Sequence, residues 1–229
     1  MNDAVKPAKP KAGYHHGDLR EALLLAAEQL LHEKGLQGLT LRACARRAGV
    51  SHAAPKHHFA DMAELLSMVA ARGFDRLTVA LQAARGEAGD DPEARFIAVA
   101  RTYVHYARSN PAHFRLMFRS DVLRQCYPPL SIASARTFAE MTDSITVQRG
   151  EPDVAPEQLL QRIKDEGLMQ DLLIGWSCVH GYAQLLLEGQ LAVFAGEEEL
   201  SDFLERTLAS TGKRLGRLLR EDSEGRRED

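Results

Sequence analysis

The chain has 229 residues, 45% of them hydrophobic and 27% charged, a balance typical of ordinary soluble globular proteins. That balance excludes a wholly disordered or collagen-like chain, and no apolar run approaches the ~18 residues that a membrane-spanning helix needs. The length suits one large domain, or a small one joined to a larger one. Met1 to Gly13 is polar and lysine-bearing with no apolar core, so it is not read as a secretion signal. The expectation is a cytoplasmic protein with no membrane partner.

The net charge of −3 conceals an asymmetry. Residues 1–60 carry nine Lys and Arg against five acids, which leaves twenty basic and twenty-seven acidic residues for the rest. Six of the nine histidines also lie in the first sixty residues. A basic head on an acidic body points the head toward a polyanion. Cys44, Cys126 and Cys178 are odd in number and far apart, without CxxC spacing, so they read as reduced thiols rather than a disulfide or zinc framework.

Residues 1–13, with two prolines, three lysines and little to bury, read as a flexible arm. Asp18 and Glu21 have capping-box spacing. Leu19, Leu23, Ala26, Leu30 and Leu31 then recur at helical intervals until Gly35. Thr40 caps a short helix over Leu41–Ala48 that ends at Gly49. Ser51 is expected to cap a third over His52–Phe59. Asp61 and Glu64 form another capping box, opening a long helix through Leu65, Val69, Phe74 and Leu77. Helical periodicity returns at 93–108, 111–123, 129–147, 157–189 and 198–220, with Gly and Pro clusters between. No stretch alternates with period two for long enough to make a strand, and residues 221–229 read as a disordered charged tail. The fold class is all-α, with about nine helices. The chain divides into a smaller helical unit over 14–62 and a larger helical unit over 63–220.

Residues 41–59, LRACARRAGVSHAAPKHHF, carry the most specific pattern. A small residue at Ala45 lets the next helix cross closely, and Gly49 permits a left-handed turn. Val50 plugs the angle between the two helices, and Ser51 is placed to satisfy free N–H groups. This is helix-turn-helix spacing, in which the second helix enters the major groove of DNA; a generic helical corner is the plainer alternative.

From Gly13 to Leu66 the chain resembles the N-terminal domain of the tetracycline-repressor (TetR) family of transcriptional regulators. The matching features are Glu33-Lys34-Gly35, Leu39-Thr40-Leu41, Ala48-Gly49-Val50-Ser51 and His58-Phe59 before a long helix. Further on, Trp176-Ser177-Cys178-Val179-His180-Gly181 resembles the Trp-His-Gly signature of one C-terminal regulatory domain in that family. The resemblance implies three helices and the start of a fourth for DNA, then a larger domain for a small-molecule effector and dimerisation. Carried over by residue, it puts Thr40 and Arg42 near phosphates. It sets Ser51, His52, Ala53, Lys56 and His57 along the recognition helix, with His58 toward the DNA backbone and Phe59 in the core. Arg46 and Arg47 are ambiguous, one of them facing solvent. Two positions depart from the family pattern: Lys56 stands where an aromatic is usual, and Met62 where a lysine is usual. Lys56 suits a phosphate more than the acceptor edge of guanine, because its charge is a point rather than a fork.

Two histidines five apart, His52 and His57, lie off one helical face, so no metal site and no cofactor are expected. GxSxG, HExxH and P-loop motifs are missing, so an enzyme is not expected. The alternatives weighed are a helical protein-interaction module and a regulator with weakened DNA binding. In the larger domain Tyr103, Phe118, Trp176 and His180 are expected to line a pocket for a hydrophobic or aromatic compound. A homodimer is expected through Leu172, Gly175, Val179, Tyr182 and Leu186, with Leu204 and Leu208 of the last helix. The function expected is a ligand-responsive repressor on a pseudo-palindromic, double-stranded operator.

Overall fold

The computed structural model describes residues 16–151, 158, 161 and 164–228. Among these residues every regular element is helical, nine α-helices and two short 3-10 segments, in agreement with the all-α class. The arm expected at 1–13, and much of the helix expected from 157, lie outside the described residues. The chain forms two compact units that divide between Leu65 and Leu66.

The first unit is built on α1 (His16–Lys34), which begins two residues ahead of the expected Asp18 cap. Its Leu23, Leu24, Ala27, Leu30 and Leu31 are buried with Leu39, Ala43, Cys44, Ala45 and Phe59, an apolar stripe at helical spacing. Burial pushes the Cys44 thiol up to about 11, so it acts as a small core hydrophobe. α2 (Leu41–Arg47) is capped by Thr40, whose Oγ1 accepts from the Ala43 N–H at 3.1 Å. It ends in a Schellman motif: Val50 N–H donates to the Ala45 carbonyl at 3.0 Å and Gly49 N–H to the Arg46 carbonyl at 3.2 Å. Gly49 takes φ +71° there, a conformation a side chain would strain.

The expected α-helix over His52–Phe59 is not formed. In its place stand a turn and a 3-10 segment, Ala54–His57, whose N-cap residue is Ala53 and which has no side-chain cap. Ser51 contributes its carbonyl instead, accepting from the Ala54 N–H at 3.1 Å. Pro55 explains the difference. It has no N–H to return to Ser51, and it biases Ala54 away from the α region. The tighter turn buries Pro55 and brings the Phe59 N–H onto its carbonyl at 2.9 Å.

α3 (Met62–Glu87) opens with Asp61 Oδ1 accepting from the Glu64 N–H at 2.8 Å, while Glu64 Oε2 accepts from the Ala60 N–H at 3.0 Å. The box is therefore reciprocal, as expected, but reaches one residue further back. From Leu66 onward α3 belongs to the second unit, with α4 (Pro92–Ser109), α5 (Pro111–Met117), α6 (Pro128–Gln148), α7 (Glu166–Leu187), α8 (Leu191–Ala195) and α9 (Leu200–Glu228). The helix expected over 111–123 stops at Met117. α8 was not foreseen. α9 runs on to Glu228, across the stretch expected to be a disordered tail; Ser223 is buried there and donates to the Arg149 carbonyl at 3.4 Å.

The core of this unit joins Phe74, Leu77 and Leu81 of α3 to Phe96, Val99 and Tyr103 of α4, with Met141 and Ile145 of α6, Leu172 and Val179 of α7, and Leu208 of α9. One side of α6 carries a polar ladder instead. Thr137, Glu140 and Asp143 recur at intervals of three, and Thr78, Gln82 and Arg85 of α3 answer them. The two threonine hydroxyls lie 2.8 Å apart, Gln82 Nε2 donates to Glu140 at 2.7 Å, and Arg85 pairs with Asp143 and, at 3.5 Å, with Glu140.

Candidate nucleic-acid interface and internal pocket

In the first unit the apolar face of α2 is spent on the core, so its charged residues face outward. Thr40, Arg42, Ser51, His52, Ala53, Lys56 and His57 are exposed and His58 is half-buried. Thr40 and Arg42 sit at the start of α2, and the others follow the Gly49 turn on the 3-10 segment or just before it. Arg46 and Arg47 are both exposed, and Arg47 is held bidentately by Glu33, at 2.7 and 2.5 Å. Phe59 is buried, as expected of a core plug, with the Arg20 guanidinium 5.1 Å from its ring centre. Met62 begins α3 half-buried. A shallow surface carrying Arg42, Arg46 and Lys56 with three histidines suits phosphate and base-edge contacts with a duplex.

In the second unit the four residues expected to line a pocket do meet, although 77 positions separate Tyr103 from His180. Tyr103 Oη lies 2.9 Å from His180 Nδ1, and Trp176 Nε1–H donates to the same oxygen at 3.2 Å. Phe118 packs edge-on against His180, with ring centres 4.6 Å apart, and lies 6.3 Å from Trp176. Three further residues, not singled out from sequence, complete the group. Phe114 stacks on His180 at 5.6 Å, Phe138 stands edge-on to Trp176 at 5.0 Å, and Gln184 Nε2 is 3.2 Å from His180 Nε2. The pair His180 and Gln184 is spaced i, i+4 on one helix, a signal the sequence did hold. Burial pushes the Tyr103 phenol well up and the His180 imidazole down, so both are uncharged near neutral pH. His105 stands apart from this cluster, its Nε2 2.6 Å from Glu205 Oε1.

Two cavities adjoin this cluster. One is narrow, about 20 Å³ in volume, and has Phe96, Val99, Tyr103, Met141, Ser144 and Trp176 in its wall. The other is wider, about 250 Å³, and lies between Phe118, Leu123, Arg124, Leu130 and Ser134.

The expected dimer face needs correction. Leu172, Gly175, Val179, Leu204 and Leu208 are buried within the protomer itself, and a Cβ on Gly175 would lie 3.4 Å from Ile145 Cδ1 of the same chain. Tyr182 bonds Thr211 at 3.0 Å, and Leu186 packs on the same core. α7 carries two apolar stripes, and α4 and α6 take the one through Leu172 and Val179. The outward stripe runs through Leu173, Ile174 and Leu185, with Val193 and Phe194 of α8 and Leu218 of α9 also exposed.

A compact helix-turn-helix unit with a cationic outer face, joined to a larger helical domain with an internal aromatic site, defines a DNA-binding regulator. The tetR family of bacterial regulatory proteins matches residues 23–69, and the tetracyclin repressor-like C-terminal domain matches residues 96–210, half of the chain. The chain belongs to this family, and it is a DNA-binding transcriptional regulator. It is 28% identical over 185 residues to an HTH-type transcriptional regulator of Mycobacterium tuberculosis, covering 72% of this chain and 79% of that one. The HTH-type transcriptional repressor BepR of Brucella suis shares 41% identity over 69 residues, 30% of this chain and 33% of its own. Among solved structures, a protein of unknown function from Rhodococcus sp. RHA1 is 30% identical with a TM-score of 0.68, over 90% of this chain and 98% of that one. A TetR-family regulator from Streptomyces coelicolor shares the fold at 19% identity and a TM-score of 0.55, over 86% and 98%. No helix among the described residues is long and apolar enough to cross a membrane.

Proposed function

We propose that the protein is a repressor that binds a pseudo-palindromic operator as a homodimer and leaves it when a small molecule occupies the second unit. Thr40 and Arg42 hold phosphates at the entry to α2. Ser51, His52, Ala53, Lys56 and His57 face the groove, and His58 reaches the DNA backbone. Two-fold symmetry of the protein calls for two-fold symmetry of the site, with half-sites about one helical turn apart or a multiple of it. The partner covers the outward stripe of α7, with Ile174 and Leu185, and the neighbouring part of α9 around Leu218, giving a bundle of four helices; seven large exposed apolar side chains on α7, α8 and α9 support this.

The observation that carries the ligand response is the Trp176–Tyr103–His180–Gln184 chain of polar groups inside an aromatic wall. A core made for packing alone gains nothing from taking these groups out of water, whereas a binding site needs a few polar groups in an apolar lining. The effector must bind the DNA-incompetent arrangement more tightly than the competent one, since equal affinity shifts nothing. A coupling of about 1–3 kcal/mol would change operator affinity roughly 5- to 150-fold. The path runs through α3, which is keyed to α6 by the Thr78, Gln82 and Arg85 ladder and continues into the first unit. The test is a thermal-shift screen followed by operator titration with each stabilising compound. Compounds that stabilise the protein yet leave operator affinity unchanged would refute the coupling. A protein that remains monomeric at micromolar concentration in light scattering would refute the dimer.

A further inference from the structure

The direction of the Gln184 amide assigns the protons of the polar chain in the second unit. The Gln184 amide nitrogen faces His180 Nε2 at 3.2 Å, and an amide N–H₂ group only donates. His180 Nε2 is therefore the acceptor, and the neutral imidazole carries its proton on Nδ1. That proton goes to Tyr103 Oη, 2.9 Å away, where the indole N–H of Trp176 also donates at 3.2 Å. A phenol oxygen has two lone pairs, and both are now used. The Tyr103 hydroxyl proton is left over. Tyr103 is 1% exposed and lines the narrow cavity, and no acceptor for this proton is found among the described residues. A buried donor without an acceptor is costly, so the group is set to meet something the cavity receives.

The cavity wall limits what that is. Its other polar group, Ser144, already donates to the Met141 carbonyl at 2.8 Å, and no charged side chain lines it. A charged ligand would lie there without a counter-charge, which buried sites tolerate poorly. At about 20 Å³ the cavity has room for one water. A larger occupant needs the wall to give. Met141 is an adaptable side chain, and Trp176 and Phe118, both half-buried, stand between this cavity and the wider one beyond.

Resting on the ligand-responsive reading above, we infer that the effector is an uncharged, largely apolar molecule with a carbonyl-type acceptor oxygen, which takes the Tyr103 hydroxyl proton while its hydrocarbon part lies against Phe96, Val99, Met141 and Trp176. Carboxylates are excluded by the wall, and pure hydrocarbons leave the donor unmet.

Trp176 is the chain's one tryptophan, so its emission reports directly on this site in the full-length protein. The probes are cyclohexyl methyl ketone, cyclohexanecarboxylate and isopropylcyclohexane, which share one skeleton; excitation at the red edge of the indole band, with free tryptophan titrated in parallel, corrects for the weak carbonyl absorption of the ketone. The ketone should change the emission saturably and bind at least ten times more tightly than either of the others. Tyr103→Phe should keep the fold, checked by circular dichroism, and should bring ketone and hydrocarbon to equal affinity. Equal or tighter binding of the carboxylate would overturn the inference, as would a ketone preference that survives Tyr103→Phe. Absence of saturable ketone binding would overturn it too, leaving the cavity as the seat of a single water. Each arm reads binding without DNA, so a failure here is separable from a failure of operator release, which is scored by titrating the operator with and without bound ketone.

Discussion

Arg85 offers the sharpest test of how the second unit is held together. Its guanidinium pairs with Asp143 and stands 3.5 Å from Glu140, whose side chains are only 3% and 5% exposed, whereas Arg85 itself is 31% exposed. Arg85→Ala leaves two carboxylates facing each other in a poorly hydrated seam. Removing one partner of a fully buried pair costs about 3–5 kcal/mol. Water reaches the site from the Arg85 side, and Gln82 still donates to Glu140, so a loss of about 2–3 kcal/mol is expected. For a domain of this size that is a fall in melting temperature of roughly 4–12 °C, read by calorimetry on the transition of the larger unit. Combining Arg85→Ala with Asp143→Asn should recover most of the loss, because the two carboxylates then no longer repel each other. A loss below about 0.5 kcal/mol, or a double variant in which the two losses simply add, would refute the claim that the buried charge is what matters.

Burial lowers the His180 pKa, so at low pH the unfolded chain takes up a proton that the folded chain resists. Stability should hold above about pH 6.5, the unperturbed histidine value, and decline as pH falls below it. His180→Gln should flatten that decline in urea titrations at pH 7.5 and 5.5. Cys126 is exposed, Cys178 half-buried and Cys44 fully buried with its thiol raised to about 11. An aromatic disulfide reagent should therefore label Cys126 first and Cys44 only on unfolding. Lys56→Ala should weaken binding about equally on operator and random duplex and lower the salt slope by about one; a loss confined to the operator would make Lys56 a reader of bases.

How much of this was legible in the sequence follows from the range over which each signal acts. The turn at Gly49 and the Thr40 cap depend on residues within five positions of each other, and both stand where the spacing places them. The recognition segment was misjudged for an equally local reason. The effect of Pro55 on Ala54 and its missing N–H together favour the tighter 3-10 turn. The aromatic cluster was only half legible. Tyr103, Phe118, Trp176 and His180 were named from the sequence, yet the hydrogen bonds among Trp176, Tyr103 and His180 arise from packing α4 on α7, which no local pattern encodes. The dimer stripe shows the limit most clearly. α7 is apolar on two sides, and amphipathicity fixes a stripe but not its partner. Only the placement of Ile145 opposite Gly175 reveals that the stripe with the small residues belongs to the protomer's own core. In the proposed homodimer the opposite stripe, with its bulkier Leu173 and Ile174, faces the second copy. That assignment reverses which substitutions should separate subunits: Ile174→Glu and Leu185→Glu should give folded monomers, whereas Leu172→Glu should unfold the domain.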